Sequence, residues 1–460
     1  MTYDFDVLIA GAGPAGCLAA RDIAGRGYKV GLFDSNPEGT SDKPIIIEIE
    51  KAIFAKTNVK FPSGDDIPYT AKTLRVFSPK NVNVFSVPTD DAPIAIYQDR
   101  FNRQLLQSAV DAGALYFPDF KAVEPFFTGS SVTGVIFNKT ADSSKPVASA
   151  KIVIDATGFN ATLVKAMSPE AGFDFPENPN HILTAECRFH EALPEVASEA
   201  VKSGRHGDDE LQVHFGPYGV YSTVFSFLST GAGRAYILIG YKNNCPGVPP
   251  IHEAVDRFRN KAGWFGRELH GGSGPIRIRH SLDRLVSDGF MVIGDAACQV
   301  IPVHGSGVAS GLWAGSLAAK TAVRALERKD FSTASLWSYP SEYQRGRGKI
   351  LAGFDVGRLA IDLLTVEQMG RMLDSGIMTP DDFKSPGIPE LPPLKLRSLP
   401  KRVSAIVKNP SLLPKMIVMG LTLKLVTNHY SRYPEKWDER KFREWAAVKK
   451  LMFSPYAGVL

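Results

Sequence analysis

The feature that most constrains this sequence is a glycine triplet set between two apolar runs. Gly11, Gly13 and Gly16 follow Asp-Val-Leu-Ile-Ala at 6–10, and an alanine-rich stretch continues to about residue 24. This spacing predicts a buried parallel strand over 6–10, a tight turn, and a helix stopped by Gly25 and Gly27. A second strand over 29–33 then ends at Asp34. Strand, glycine turn, helix, strand and acid within about thirty residues form a dinucleotide-binding βαβ unit. Gly11 permits the turn, Gly13 lets the backbone approach a pyrophosphate, and Gly16 lets helix and strand pack closely. Pro14 and Ala15 open the helix whose free N–H groups would receive the phosphates, and Asp34 with Ser35 stands where an adenosine ribose is expected.

Two later segments separate FAD from NAD. Ala156, Thr157 and Gly158 follow an apolar run and Asp155, and Gly294 and Asp295 follow the strand expected over 290–293. Pro302, Gly305, Ser306 and Gly307 then open a small-residue helix over 305–326. A carboxylate in that place holds a ribitol hydroxyl, and the helix N-terminus stabilises negative charge at the pyrimidine edge of a flavin. Arg100, opening a helix over 97–114, is a further candidate for an FAD phosphate or ribose.

The rest of the chain reads as one large α/β protein. Residues 41–66 are expected to be loop plus helix, 74–96 alternate like antiparallel strands, and strand-like runs dominate 181–275. Helical signal prevails beyond 330, broken by a proline-rich linker at 385–400. The expected fold is α/β with an α+β insert: a Rossmann-like FAD domain (1–73, 97–170 and 276–330), an inserted antiparallel substrate-binding sheet (74–96 with 171–275), and a C-terminal helical region (331–460).

Composition excludes more than it proposes. A net charge of +5 over 460 residues, with no stripe of interleaved arginines and aromatics, argues against nucleic acid as a partner. Cys17, Cys187, Cys245 and Cys298 are scattered, so no zinc or iron–sulfur signature is present and a reducing compartment fits. With no leader pattern and no apolar run of about 20 residues, a cytoplasmic location is expected. Residues 391–430 carry Lys395, Arg397, Lys401, Arg402, Lys408, Lys415 and Lys424 and no acid, which suits peripheral contact with a lipid surface or a helix packed on the domain.

Together these segments resemble the geranylgeranyl reductase family, within the p-hydroxybenzoate hydroxylase-like flavoproteins. The similarity takes in Asp42-Lys43-Pro44, Tyr97-Gln98-Asp99-Arg100, Gly294-Asp295-Ala296-Ala297 and Pro302-Val303-His304-Gly305-Ser306-Gly307, and it reaches Asn409-Pro410-Ser411 and the Asn428–Pro434 stretch. The resemblance implies FAD as cofactor and reduction of carbon–carbon double bonds in a polyprenyl lipid, a quinone or a related apolar substrate. It also implies hydride delivery from reduced flavin and an apolar tunnel beneath the inserted sheet. Two stretches depart from the family. Ile45, Ile46 and Ile47 replace the Cys-Gly pair that follows Lys-Pro, and 218–227 has neither the Trp nor the Phe-Pro pair of the substrate sheet.

An isolated alkene needs a proton delivered in step with hydride. His304 is either that donor or a backbone contact, and Tyr218, Tyr221 and His214 are either pocket groups or packing. Glu48 and Glu50 are open to two readings, acids of raised pKa near the flavin or a solvated edge. Two other activities fit the same fold: a flavin monooxygenase or halogenase, and a quinone-linked electron carrier. With no second glycine fingerprint, electrons are expected from an external donor, ferredoxin or NAD(P)H.

Overall fold

Apolar runs without alternation become the strands that are covered on both faces. The computed structural model describes residues 4–36, 45–89, 93–139, 144–167, 172–173, 175, 178–242, 247–382 and 399–458. Asp42-Lys43-Pro44, Cys245, Lys395 and Arg397 lie outside them. β1 (Phe5–Ala10) runs through the glycine turn into α1 (Pro14–Ala24) and then β2 (Val30–Phe33). β1 pairs in parallel with β2 on one side and with Val147–Asp155 on the other. The sheet order is Val286–Ser287, Phe290–Val292, Val147–Asp155, β1, β2, Leu115–Phe117, with an antiparallel hairpin, Phe120–Thr128 and Ser131–Lys139, leaning off Val147–Asp155. The long helix Val308–Arg328 crosses α1 closely because both present small residues. A Cβ on Gly315 would stand 2.5 Å from the Ala15 carbonyl oxygen.

A second sheet has seven strands in the order Phe265–Arg277, Ile182–Ala192, Arg234–Lys242, Ser222–Ser229, Glu210–Phe215, Thr73–Phe77, Asn83–Pro88. All its pairings are antiparallel except that of Thr73–Phe77 with Glu210–Phe215. The helices Pro194–Lys202 and Ile251–Ala262 cover one of its faces.

Between the two sheets the structure differs from the sequence reading. Residues 46–49 are a strand, β3 (Ile46–Ile49), and Ile94–Tyr97 pairs antiparallel with it instead of joining the seven-stranded sheet. The β-branched isoleucines favour extended backbone. The acids at 48 and 50 hid that preference by making the segment read as mixed.

The C-terminal helices close the assembly through a buried ionic network. The Asp355 carboxylate accepts from His280 Nδ1 at 2.6 Å and from Arg358 Nε at 2.7 Å. Arg358 reaches Asp362 at 3.0 Å, Asp362 accepts from Lys242 of the seven-stranded sheet at 2.5 Å, and Lys449 of the helix Glu439–Phe453 donates to Asp283 at 2.6 Å. The seven-stranded sheet, the 278–285 connection and the C-terminal helices are thus tied to one set of charges. Removing a single member would strand a partner in low dielectric, at a cost of about 3–5 kcal/mol.

Several histidines are held neutral by this packing. Burial, with Lys449 nearby, pushes His280 down to about 4; burial with Arg358 pushes His181 to about 3; burial with His206 pushes His214 to about 4. An unfolded histidine protonates near its ordinary value of 6.5, so the unfolded chain binds more protons between the two values. Stability from these groups is complete above pH 6.5 and is lost as pH falls toward 4. Asp355 adds to the loss in stronger acid: burial works against its charge, but Arg358 and His280 hold its pKa well below the usual carboxylate range. Denaturant unfolding across pH should therefore show stability rising from pH 4 and levelling near 6.5, and a profile flat over that interval would contradict the assignment.

Candidate functional site

The glycine turn is built by contacts that tolerate no side chain at two of its three positions. Gly11 has φ +114°, and a Cβ there would stand 2.1 Å from the Ala156 carbonyl oxygen. A Cβ on Gly16 would stand 2.0 Å from the Gly11 oxygen. Gly13 differs: its backbone is extended (φ −72°, ψ 177°) and a Cβ would meet nothing within 4 Å. Gly13 caps α1 with no side-chain bond, and Pro14 at the first turn has no N–H to lose. By helix geometry the N–H groups of Gly13, Ala15 and Gly16 have no intrahelical acceptor. They open on clear space at the positive end of the dipole, which fits a pyrophosphate.

Asp34, at the end of β2, accepts from the Ala12 N–H at 2.6 Å and from the Asn36 N–H at 2.8 Å. Its carboxylate therefore braces the turn and still has lone pairs for a ribose hydroxyl. Ser35 beside it is exposed. The Tyr116 hydroxyl, close to Asp34, is buried with no partner among the described residues.

Ala156, Thr157 and Gly158 form the turn that Gly11 approaches. Buried Asp155 organises it, accepting from Thr157 Oγ1 at 2.6 Å and from the Val164 N–H at 2.7 Å. Gly294 is left-handed at φ +67°, and its N–H is fixed by Gln299 Oε1 at 2.6 Å. Cβ atoms added at Gly294 and Gly311 would stand 3.4 and 3.3 Å from the Ala15 Cβ, so the later segments converge on the start of α1. Asp295 keeps accessible surface although protein encloses it, as a group on the wall of a recess does. A Cβ on Gly307 would stand 2.9 Å from Asp295 Oδ1.

The Pro302 to Gly307 segment turns sharply, with Gly305 at φ +81° and the Ile301 N–H donating to the Ser306 carbonyl at 2.9 Å. The helix Val308–Arg328 then starts from Gly307 without a side-chain cap, leaving N–H groups for a flavin edge. Two tethers hold the segment. The Tyr221 hydroxyl donates to the Pro302 carbonyl, and Ser306 Oγ donates to the Glu48 carbonyl at 3.2 Å.

β3 crosses this segment, and Glu48 within the strand differs from Glu50 just after it. Glu50 accepts two bonds from Arg347, at 2.9 and 2.6 Å, and Arg347 Nε donates to Ser310 Oγ at 3.0 Å. That buried pair clamps β3 to the first turn of the long helix. Glu48 faces the seven-stranded sheet, accepts from the Tyr69 hydroxyl at 3.1 Å, and burial raises its pKa. Neither acid stands on a solvated edge. A thiol also stands here, from the facing sheet: Cys187 is buried and bonds to the backbone of Ile46 and Gly272.

The other singled-out residues lie as follows. Tyr221 is a tether through Pro302. Tyr218 packs in the layer beneath the helix Ile251–Ala262, its hydroxyl donating to the Ala254 carbonyl at 3.3 Å. His214 stacks on Phe77 with ring centroids 4.3 Å apart. Arg100 donates to the Asp65 carbonyl at 2.8 Å and lies over the Tyr97 ring. His304 is exposed, and its Nδ1 accepts from the Ser306 N–H at 3.3 Å, a backbone contact within its own turn. Sequence reasoning missed Tyr69, Arg347 and Ser310, which carry no local motif.

The glycine geometry separates two failures. Gly13→Val should fold with unchanged thermal stability but purify without flavin colour, because its side chain occupies the phosphate space. Gly11→Val should fail to fold, because Ala156 blocks it. Visible absorbance and thermal melts check both, and a yellow Gly13→Val protein would contradict the placement.

No protein-family model matches the sequence. The chain is similar to the digeranylgeranylglycerophospholipid reductase of Sulfolobus acidocaldarius, with 26% identity over 439 residues, 94% of this chain and 93% of the relative. The enzyme of that name from Haloferax volcanii is 28% identical over 374 residues, 73% of this chain and 80% of its own. In fold it is similar to a geranylgeranyl bacteriochlorophyll reductase-like protein of Thermoplasma acidophilum, with a TM-score of 0.71 and 20% identity over 90% of this chain and 99% of that one. A flavin-dependent brominase shares the fold at a TM-score of 0.56 and 16% identity, over 82% of this chain and 91% of its own. The similarity runs through 94% of the chain and not through the glycine turn alone, so the chain resembles digeranylgeranylglycerophospholipid reductases along nearly its whole length and shares the fold of FAD-dependent oxidoreductases.

Proposed function

We propose that the protein saturates carbon–carbon double bonds in the polyprenyl chains of a lipid. The observation that carries this reading is near full-length similarity to digeranylgeranylglycerophospholipid reductases. Its structural support is an apolar, aromatic cluster between β3 and the seven-stranded sheet, made of Ile46, Tyr69, Phe189, Phe227 and Tyr236. Reduced FAD supplies the hydride. The residues of this chain would hold it: Gly13, Ala15 and Gly16 at the pyrophosphate, Asp34 at the adenosine ribose, and Asp295 at the ribitol. The start of the helix Val308–Arg328 would stabilise charge on the pyrimidine edge. Tyr221 and the Glu50–Arg347–Ser310 clamp keep the flavin segment and β3 in register. The electrons enter from an external donor, ferredoxin or NAD(P)H.

A substrate dissolved in a bilayer calls for a membrane-facing surface, and the C-terminal helices provide one. Leu413, Ile417, Leu421 and Leu425 recur every four residues along the helix Leu413–Tyr430, and all four are exposed. Val403 and Val407 extend the apolar surface on the preceding helix, Leu399–Val407. Lys408 and Lys424 are exposed near it. Arg402 and Lys415 instead bond internally, to Asp382 and Gln368, so the apolar stripe does more here than the cation count suggested. No helix among the described residues is long and apolar enough to cross a membrane. The protein on this reading lies on the lipid surface.

Anaerobic photoreduction followed by digeranylgeranyl lipid should reoxidise the flavin and add two mass units per saturated bond. Reoxidation by oxygen alone, with a hydroxylated or halogenated product, would instead establish the monooxygenase or halogenase reading. Transfer of electrons to a quinone with every alkene left intact would establish the electron carrier. For the surface, the protein should sediment with anionic liposomes at low salt, and Leu421→Asp with Leu425→Asp should abolish this. Wild-type protein that stays in the supernatant would rule out the docking face.

A further inference from the structure

The family's thiol is absent from the chain segment beside the flavin, yet the reaction still needs an acid. β3 supplies one by its alternation. Ile47 and Ile49 pack into the core of the flavin domain, while Ile46 packs in the aromatic cluster. Side chains two residues apart share a face, so Glu48 stands beside that cluster with Ile46, and unlike Ile46 it keeps accessible surface. The backbone of the same residue is fixed to the flavin segment, because its carbonyl accepts from Ser306 Oγ at 3.2 Å. Glu48 thus stands between the flavin segment and the aromatic cluster, with surface open to an alkene.

We propose that Glu48, held by Tyr69, is the proton donor of the reduction. This rests on the polyprenyl reductase reading. As hydride from the reduced cofactor forms a C–H bond at one alkene carbon, the π pair forms a second C–H bond at the other. The proton comes from the Glu48 carboxyl, whose O–H bond breaks and leaves a carboxylate. The Tyr69 hydroxyl donates to that carboxylate at 3.1 Å, and water restores the proton after product leaves. Tyr69 is a positioning residue: it stacks on Phe227 with centroids 4.3 Å apart and packs on Tyr236 at 5.5 Å.

Burial of the Glu48 carboxyl raises its pKa and so favours the form that carries a proton. The titratable groups facing it from neighbouring elements are Tyr69 itself, Tyr236 from the strand Arg234–Lys242, and Cys187 from the strand Ile182–Ala192. Burial raises both tyrosines well above 10 and the thiol to about 11, so all three are neutral at pH 7 and supply no positive charge to a carboxylate. Glu50, two residues on, has the opposite surroundings in the Arg347 guanidinium and serves as a clamp. His304, exposed, spends its Nδ1 on the Ser306 N–H at 3.3 Å.

The test uses Glu48→Gln, Glu48→Asp, Tyr69→Phe and Cys187→Ala in the full-length holoenzyme, with flavin content, lipid affinity and thermal stability measured for each. Glu48→Gln should keep FAD and bind lipid normally, yet lose about 100-fold or more in lipid-dependent flavin reoxidation, the range for a lost general acid. Glu48→Asp should recover part of that rate, and Tyr69→Phe, which removes a donor to the carboxylate, should raise the pH at which the rate falls off. A second readout needs no turnover: the infrared carbonyl band of a protonated carboxyl, present at pH 7 in the wild-type protein, should be missing from Glu48→Gln. An unchanged infrared spectrum, or full reduction by Glu48→Gln with loss in Cys187→Ala, overturns the assignment while leaving the reductase reading intact. Wild-type protein that shows the band but reduces no polyprenyl lipid refutes the reductase reading, and the donor role with it.

Discussion

The approach of Gly11 to Ala156 is the contact on which the site depends. Strands β1 and Val147–Asp155 lie side by side, and their C-terminal ends meet where only a hydrogen atom fits between the Gly11 Cα and the Ala156 carbonyl. That closeness lets α1 rise directly from the sheet with its N–H groups turned outward. It also sets Ala15 where Gly294, Gly311 and Gly315 reach it. One steric allowance therefore brings together three stretches of chain separated by nearly three hundred residues. A methyl group at Gly11 would separate them all.

A second constraint acts from the opposite side. β3 is held over the flavin segment by Ser306 and by the Glu50–Arg347 pair, whose partners are 297 positions apart. It lies between the flavin segment and the aromatic cluster, with one face of the strand on the core and the other on the cluster. The acids at 48 and 50 have different partners: Glu50 meets a guanidinium and Glu48 a tyrosine hydroxyl. The same fold in brominases and monooxygenases shows that the scaffold alone does not choose the reaction. What chooses is the handful of side chains around this strand.

Much of the flavin scaffold was legible in the sequence because its signals are local. A glycine that must be left-handed, an acid at a strand end and a small-residue helix each occupy a few consecutive positions. β3 was not legible. Its period was blurred by Glu48 and Glu50, and its pairing with Ile94–Tyr97 spans residues that carry no common pattern. The partners that decide the acids' roles, Tyr69 and Arg347, sit in unremarkable local contexts. Tyr218 and Tyr221, three residues apart, ended in different layers because Gly219 turns the chain between them at φ +106°. At the C-terminus the cations stood out in the sequence, whereas the exposed leucine and isoleucine stripe appears only once the opposite helix face is seen to pack on the domain.

A crystal structure of the FAD-loaded protein with a polyprenyl lipid tests the arrangement most directly. The arrangement requires the flavin ring to rest on the Gly305–Gly307 turn, with the lipid tail running along the cluster of Tyr69, Phe227 and Tyr236, and an alkene between the flavin and Glu48. A tail bound elsewhere, or a Glu48 walled off from both flavin and lipid, would contradict it.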